Sequence, residues 1–351
     1  MPSLLVTADE ARRYTVRVLE AAGHPPEDAE LCADSLVESS LRGLDSHGVV
    51  SLLSVYAAAP GRPGAVPAVV EERGAAAVVD GRGALGLRTA RVALEAAIRR
   101  ARVLGVGVAV ARNVGYLGGL WWTVLPAAEQ GLVALGATNS MACVAPHGGR
   151  EPLHGTNPIA FAVPCHPDPI VFDMRTNALR MADYWESVRT GAPLPDGALM
   201  TSDGEPLTDA SAVDDAVYLP LAGPKGYGLA LLVDVLAAAL AGAPIGREVE
   251  AETERDGLAA FFLVLEPGFF GPFERFAGAV RRLADQAHAT APLDRHEPVR
   301  LPGKRSAAER RRRLAEGIPV DSRLWALHEE RLAKLGLAVE GPTFTDATGA
   351  P

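Results

Sequence analysis

Apolar positions recur at helical spacing between residues 7 and 42, which predicts two helices there. Thr7 stands where a helix N-cap belongs, and Glu10, three positions on, is its expected capping-box partner. Glycine and proline break the helical pattern from Pro60 to Pro67. From about residue 75 the pattern changes to short apolar runs alternating with helical stretches. Strands are predicted at 75–80, 106–112, 132–139, 159–164, 170–173 and 259–267, with a helix over 87–103. A proline- and aspartate-rich connection covers 192–215, and a long helix starts near Lys225. The stretch Gly226 to Pro244 is apolar, carries Asp234 at its centre and has few bulky side chains, so it reads as a buried helix and not as a membrane span. Residues 306–336 return to helix. Strands mixed with helices imply an α/β or α+β core, and helices at both ends predict that the termini pack together.

A chain of 351 residues has room for two or three packed domains. The expected division is a helical domain from 1–72 with about 300–340, an α/β core over 73–299, and a flexible tail at 341–351. The net charge of −9 argues against a nucleic-acid partner, because neutralising phosphates needs a basic surface. The one dense basic run, Arg310 to Arg313, reads as a solvated helix face without a role. Cys32, Cys143 and Cys165 are too few and too scattered for a disulfide framework or a zinc site, so no metal is expected. The opening MPSLLVTADEARRY lacks the apolar core of a secretory signal, which together with the odd cysteine count points to a reducing cytoplasm.

Directly after the strand at 75–80 comes Gly81-Arg82-Gly83-Ala84-Leu85-Gly86, a formal G-x-G-x-x-G ahead of a helix. The dinucleotide fingerprint also asks for an acid at the end of the next strand, and Arg112-Asn113 stands there instead. An arginine could meet a 2′-phosphate, but the later segments match a different cofactor plan. The glycines are therefore read as a turn.

Four segments carry candidate chemistry. In Ser46-His47-Gly48 a histidine between small residues is free to reach a cleft, and its ordinary pKa near 6.5 suits proton transfer. Gly155-Thr156-Asn157-Pro158, preceded by Pro146-His147-Gly148-Gly149, offers hydrogen-bonding groups at a turn where backbone can approach a ligand. Asp173-Met174-Arg175-Thr176-Asn177 is a polar cluster at a strand end, where α/β proteins often place ligands. Gly223-Pro224-Lys225-Gly226-Tyr227-Gly228 opens a helix, and its N–H groups with Lys225 suit an anion. Taken singly, each also fits a tight loop or a helix end.

Together, in this order and spacing, the segments resemble the type 2 malate/L-lactate dehydrogenase family. That family includes ureidoglycolate and sulfolactate dehydrogenases, 2,3-diketogulonate reductase and the piperideine/pyrroline-2-carboxylate reductases. The likeness runs to about residue 338 through LRGLDSHGV (41–49), GLVALGATNS (131–140), GTNPIAFAVP (155–164), PKGYGLALLVDVL (224–236), LPGKR (301–305) and GIPVDSRLW (317–325). It implies an α/β fold with a non-Rossmann, NAD(P)-binding mixed-sheet core and a helical domain formed by both termini. It also implies NADH or NADPH as cofactor, a small-molecule substrate, and a homodimer with its active site near the subunit interface. Carried over by position, His47 is the catalytic histidine, with Ser46 in the same motif. Thr156 and Asn157 would line the substrate pocket. Asp173, Met174, Arg175, Thr176 and Asn177 would lie along the cofactor, as would Pro224, Lys225, Gly303, Lys304 and Arg305.

Three departures bear on the substrate. The family's arginine four residues after the histidine, a bidentate carboxylate clamp, is Ser51 here. The second catalytic histidine of many members is Tyr116, whose reference pKa of about 10 makes it a poor base at neutral pH. The A-T-S after the strand-end aspartate is Arg175-Thr176-Asn177. The expected activity is therefore hydride transfer to a C=O or C=N group of a non-standard small substrate, an imine reductase in a biosynthetic setting being favoured over lactate or malate oxidation. The alternative is a scaffold turned to non-redox condensation or elimination, with its cofactor site reused or empty.

Overall fold

The alternating apolar runs become one seven-stranded sheet in the computed structural model, which describes residues 4–62, 64–250, 256–294 and 297–346. In chain order the strands are β1 (Leu4–Val6), β2 (Ala68–Arg73), β3 (Ala76–Asp80), β4 (Val106–Val114), β5 (Val133–Thr138), β6 (Ile159–Val163), β7 (Ile170–Met174), β8 (Leu199–Met200), β9 (Pro206–Leu207), β10 (Val217–Tyr218), β11 (Leu258–Leu265), β12 (Ile318–Val320) and β13 (Thr345–Asp346). The helices are α1 (Ala8–Ala21), α2 (Pro26–Leu41), α3 (Val49–Ala57), α4 (Gly86–Leu104), α5 (Leu120–Glu129), α6 (Met181–Thr190), α7 (Pro224–Val233), α8 (Phe273–Ala289), α9 (Lys304–Glu316) and α10 (Ser322–Lys334).

The large sheet runs β2-β3-β4-β11-β5-β6-β7. Only β3 and β4 are parallel, joined through α4, and the remaining pairs are antiparallel, so the sheet is mixed as expected. Its middle strand, β11, is buried along nearly its whole length, which is why LAAFFLVL shows no polar alternation. Helices α4 and α5 cover one face, where alanines of α4 meet Val79, Ala109 and Phe262. Small residues let that helix sit close: a Cβ on Gly107 would lie 1.9 Å from the Ala97 carbonyl oxygen. On the other face Val233, Ala237 and Ala238 pack against Val110, Ala137 and Phe261.

The two ends of the chain meet. β1 pairs with both β12 and β13, and Tyr14 of α1 stacks at 5.3 Å on Trp325 of α10. The Tyr14 hydroxyl also bonds His328 Nε2 at 3.0 Å. The segment expected as a flexible tail is held through Asp346, because Phe344 sits edge-on against Trp325 and β13 completes the small sheet. Residues 347–351 lie outside the described residues.

Several local expectations change. Thr7 does cap α1, accepting from the Glu10 N–H at 3.2 Å, but the Glu10 carboxylate turns to Arg13 and to the N–H of Thr343. The glycines at 81–86 form a turn, and close approach explains them: Cβ atoms on Gly81 and Gly86 would lie 2.3 and 2.2 Å from the carbonyl oxygens of Asn113 and Gly115. The basic run is no free solvated face. Arg310 forks onto Glu38, Arg311 meets Asp168, and Arg313 is buried. The apolar stretch from Gly226 is buried on one side only, since Leu231, Leu232, Val235 and Leu240 face outward.

Candidate active site

A cleft of about 670 Å³ opens between the terminal helices and the ends of the sheet strands. On one wall stands the short 3₁₀ turn Asp45–His47, between α2 and α3. A turn this short has no core of its own, and it is tied from outside. Arg313 of α9 donates to the Ser40 carbonyl at 2.6 Å and to Asp45 Oδ1 at 2.7 Å, while its Nε reaches Glu309. Gly48 packs close to Ser40: a Cβ there would lie 2.4 Å from Ser40 Oγ and would displace the hydroxyl that accepts from the Val49 N–H. The turn presents Ser46 and His47 to the cleft, with Ser46 Oγ 3.0 Å from His47 Nδ1. Burial, with Arg175 adding to it, lowers the His47 pKa to about 4, so the ring is neutral at pH 7.

Ser51 lies in the first turns of α3 and lines the same cleft, with its hydroxyl bonded to the Asp45 carbonyl at 2.7 Å. It also lines an apolar cavity of about 260 Å³ shared with Val50, Leu324 and Trp325. Tyr116 comes from the loop after β4 and packs against Tyr56 of α3, ring centroids 5.7 Å apart and planes tilted by 57°. Gly86 packs directly beneath that loop and fixes where Tyr116 stands.

The Gly155–Pro158 loop divides its side chains. Gly155 is pressed against Ser140, where a Cβ would lie 2.3 Å from its carbonyl oxygen. Ser140 Oγ accepts from the Thr156 N–H at 3.0 Å, and both residues line the cleft. Asn157 takes the left-handed conformation (φ 36°), which asparagine tolerates better than most residues. It is buried behind the cleft as a strut, accepting from the Ser140 N–H and donating to the Ala230 carbonyl at 3.0 Å.

At the end of β7, Asp173, Met174 and Arg175 line the cleft. Asp173 Oδ2 accepts from the Trp121 N–H at 2.8 Å, at the start of α5. Burial raises its pKa to about 6, against the opposing pull of that bond and of Arg175. Thr176 and Asn177 are buried behind, bonded to the carbonyls of Thr156 and Leu179. Pro224 and Lys225 are exposed at the outer start of α7 and do not line the cleft. Gly303 lies at the head of α9, Lys304 Nζ bonds the Asp168 carbonyl at 2.9 Å, and Arg305 is exposed.

The fit of a dinucleotide rests on continuity. A narrow cleft of about 190 Å³ shares Leu44, Trp121 and Asp173 with the His47 cleft, and it reaches Gly303. It shares Trp121, Val171 and Gly303 in turn with a groove of about 1140 Å³ edged by Arg42, Arg310 and Arg311. Gly303 has φ 84° and lies against the β7 backbone, where a Cβ would be 3.0 Å from the Val171 nitrogen. The path from Gly303 past Asp173 to His47 is long and open to backbone contact, which suits an extended dinucleotide. The three arginines at the edge of the large groove are each paired with Glu38 or Asp168.

Sequence reasoning missed Arg331 and Arg180, which line the cleft without belonging to any motif, and the buried pair of His154 Nδ1 and Asp234 Oδ2 at 2.6 Å. That pair ties the loop before Gly155 to the helix after Val233, beside the ring of Tyr227. Among the described residues no cluster of His, Cys, Asp or Glu is placed to hold a metal, and no helix is long and apolar enough to cross a membrane.

Comparison with known proteins gives the same frame over nearly the whole chain. Residues 6–327 match the family described as malate/L-lactate dehydrogenase. L-sulfolactate dehydrogenase of Methanocaldococcus jannaschii is 32% identical, over 96% of this chain and 99% of its own. The Delta(1)-pyrroline-2-carboxylate/Delta(1)-piperideine-2-carboxylate reductase of Pseudomonas putida is 37% identical, over 83% of this chain and 86% of its own. The solved malate dehydrogenase of Pyrococcus horikoshii superposes with a TM-score of 0.85 at 29% identity, covering 97% of each chain.

Proposed function

The chain belongs to the malate/L-lactate dehydrogenase family, and from that premise we propose that it reduces a small imine or 2-oxo acid-like compound with NADH or NADPH. Membership makes it an NAD(P)-dependent oxidoreductase of small molecules, and the shape of the cleft supports the finer reading of its substrate. The carrying observation is the continuous groove from Gly303 past Asp173 that ends at His47. Residues Met174 and Arg175, with Gly303 at the far end, would hold the dinucleotide. The reduced nicotinamide supplies a hydride when bound.

What the chain adds is proton control and orientation. A 2-oxo group needs a proton on oxygen as hydride reaches carbon, and a neutral His47 with a pKa of about 4 stores few protons at pH 7. Tyr116 can donate one from its phenol. A protonated imine brings its own proton, so His47 has only to hold the N–H by its free ring nitrogen. This asymmetry is what favours the imine. Ser46 fixes the His47 ring, and Thr156 with Ser140 offers hydroxyls on the facing wall.

The outward stripe of Leu231, Leu232 and Val235 favours a homodimer built through α7, and cysteine thiols at Cys32, Cys143 and Cys165 that form no disulfide fit a reducing cytoplasm. Titration with NADH and NADPH, read by nicotinamide fluorescence and melting temperature, tests the reading. A ligand at one hundred times its dissociation constant stabilises a protein by about 2.7 kcal/mol, a shift of several degrees. One of the two must give it. No shift with either contradicts the proposal.

A further inference from the structure

We propose that Arg331 of α10 holds the anionic group of the substrate, in place of a clamp at position 51. The inference rests on the reductase reading above and names the anion contact within the same cleft. Its starting point is the charge balance of the walls. Arg175, Arg180 and Arg331 all line the cleft, and among the described residues Asp173 is the one carboxylate that does. Arg180 is neutralised by Asp183, with Nε and Nη2 on the two carboxylate oxygens at 2.7 and 2.5 Å. Arg175 follows the end of β7, next to Asp173, on the stretch of the cleft assigned above to the dinucleotide. Arg331 is left on the other wall, and no carboxylate among the described residues forms an ion pair with it.

Its place is set by packing. One turn earlier on α10, His328 is fully buried against Tyr14, and that contact seats the helix beside α3. Arg331 follows on the same face of α10, so its guanidinium is delivered to the wall that Ser51 leaves low. Ser51 is too short to clamp anything, and its hydroxyl is already bonded to the Asp45 carbonyl. A cation in the last turn of a helix also suits the helix dipole, but that does not require it to face a cleft. A half-buried guanidinium without a carboxylate partner is incomplete until an anion with paired oxygens arrives. The family's anion contact has thus moved from one terminal helix to another, and the substrate is an acid approached from the α10 side.

The test uses two planar probes of one shape, pyrrole-2-carboxylate and pyrrole-2-carboxamide, titrated into the NADPH-loaded full chain. The wild type should prefer the carboxylate. In Arg331→Gln the carboxylate should bind about thirtyfold more weakly, the scale for truncating one partner of a desolvated charge pair, while amide and NADPH binding stay as they were. Adding Ser51→Arg to that variant should restore part of the preference. Arg331→Lys, which keeps charge and loses the fork, should fall between, and it serves if the glutamine variant does not fold. An unchanged carboxylate preference in Arg331→Gln, or none in the wild type, overturns the assignment. Failure of the wild type to bind NADPH would strike the reductase reading alone. The same probes in the cofactor-free chain would then decide the role of Arg331.

Discussion

His47 and Ser51 lie on either side of the extended Gly48, and the chemistry of the cleft depends on how differently each is held. His47 is kept neutral by burial and by Arg175, and His328, behind the same wall, by burial and by Arg331. Both have pKa values lowered from 6.5 to about 4. A histidine with a lowered folded value takes up its proton first in the unfolded chain. Its contribution to stability is whole above the unfolded value of 6.5 and is lost as pH falls toward 4. Asp173 works the other way: raised to about 6, it gains its proton in the native state first, so acid favours folding through that group between 6 and its ordinary 3.8. Two histidines outweigh one carboxyl. Urea unfolding should therefore show stability declining from pH 6.5 to 4.5, and a rise across that window would contradict these assignments.

At the scale of elements, six strands of the large sheet were legible because short apolar runs bounded by turns have few other uses, whereas the edge strand β2 was missed because its AVVEER is half charged and mostly exposed. The 87–103 helix was legible from its spacing and appears as α4 over Gly86–Leu104. β1, β12 and β13 were not, since each has three residues or fewer and pairs only after both termini arrive. Nor was the one-sided exposure of α7. Alanine and leucine fill both of its faces, so hydropathy could not say which face meets the sheet. The outward stripe of Leu231, Leu232 and Val235, each close to half exposed, is more apolar surface than a lone chain usually shows on one helix. Sedimentation should give twice the 36.7 kDa chain mass, and Leu232→Asp should shift it to the single mass while the fold is kept. A wild-type monomer would remove the dimer from the account.

For the whole molecule, the site exists because the chain closes on itself. The turn bearing His47 is N-terminal, the arginine that pins it is Arg313, and Arg331 reaches the cleft from the C-terminal helix. Ser46, His47 and Thr156 could be placed from sequence because glycine and proline fix their loops, and Asp173 because it ends an apolar strand. Arg331 could not, because an arginine in a charged helix carries no local signal of the wall it will face. Asn157, Thr176 and Asn177, expected at the ligand, instead hold the loops that carry Thr156 and Arg175.

The claim that all of this serves hydride transfer is tested most directly by label. NADH and NADPH deuterated at the transferring position of the nicotinamide would be incubated with the wild type and with His47→Ala, using Δ1-piperideine-2-carboxylate and 2-oxo acids as acceptors. Deuterium on the former C=N or C=O carbon, with imine reduction slowed about tenfold or more in His47→Ala, the scale of one lost hydrogen bond to a charged N–H, is the predicted result. Turnover of an acceptor with no deuterium in the product, or at an equal rate without any nicotinamide, would contradict the account and leave the fold serving a non-redox reaction.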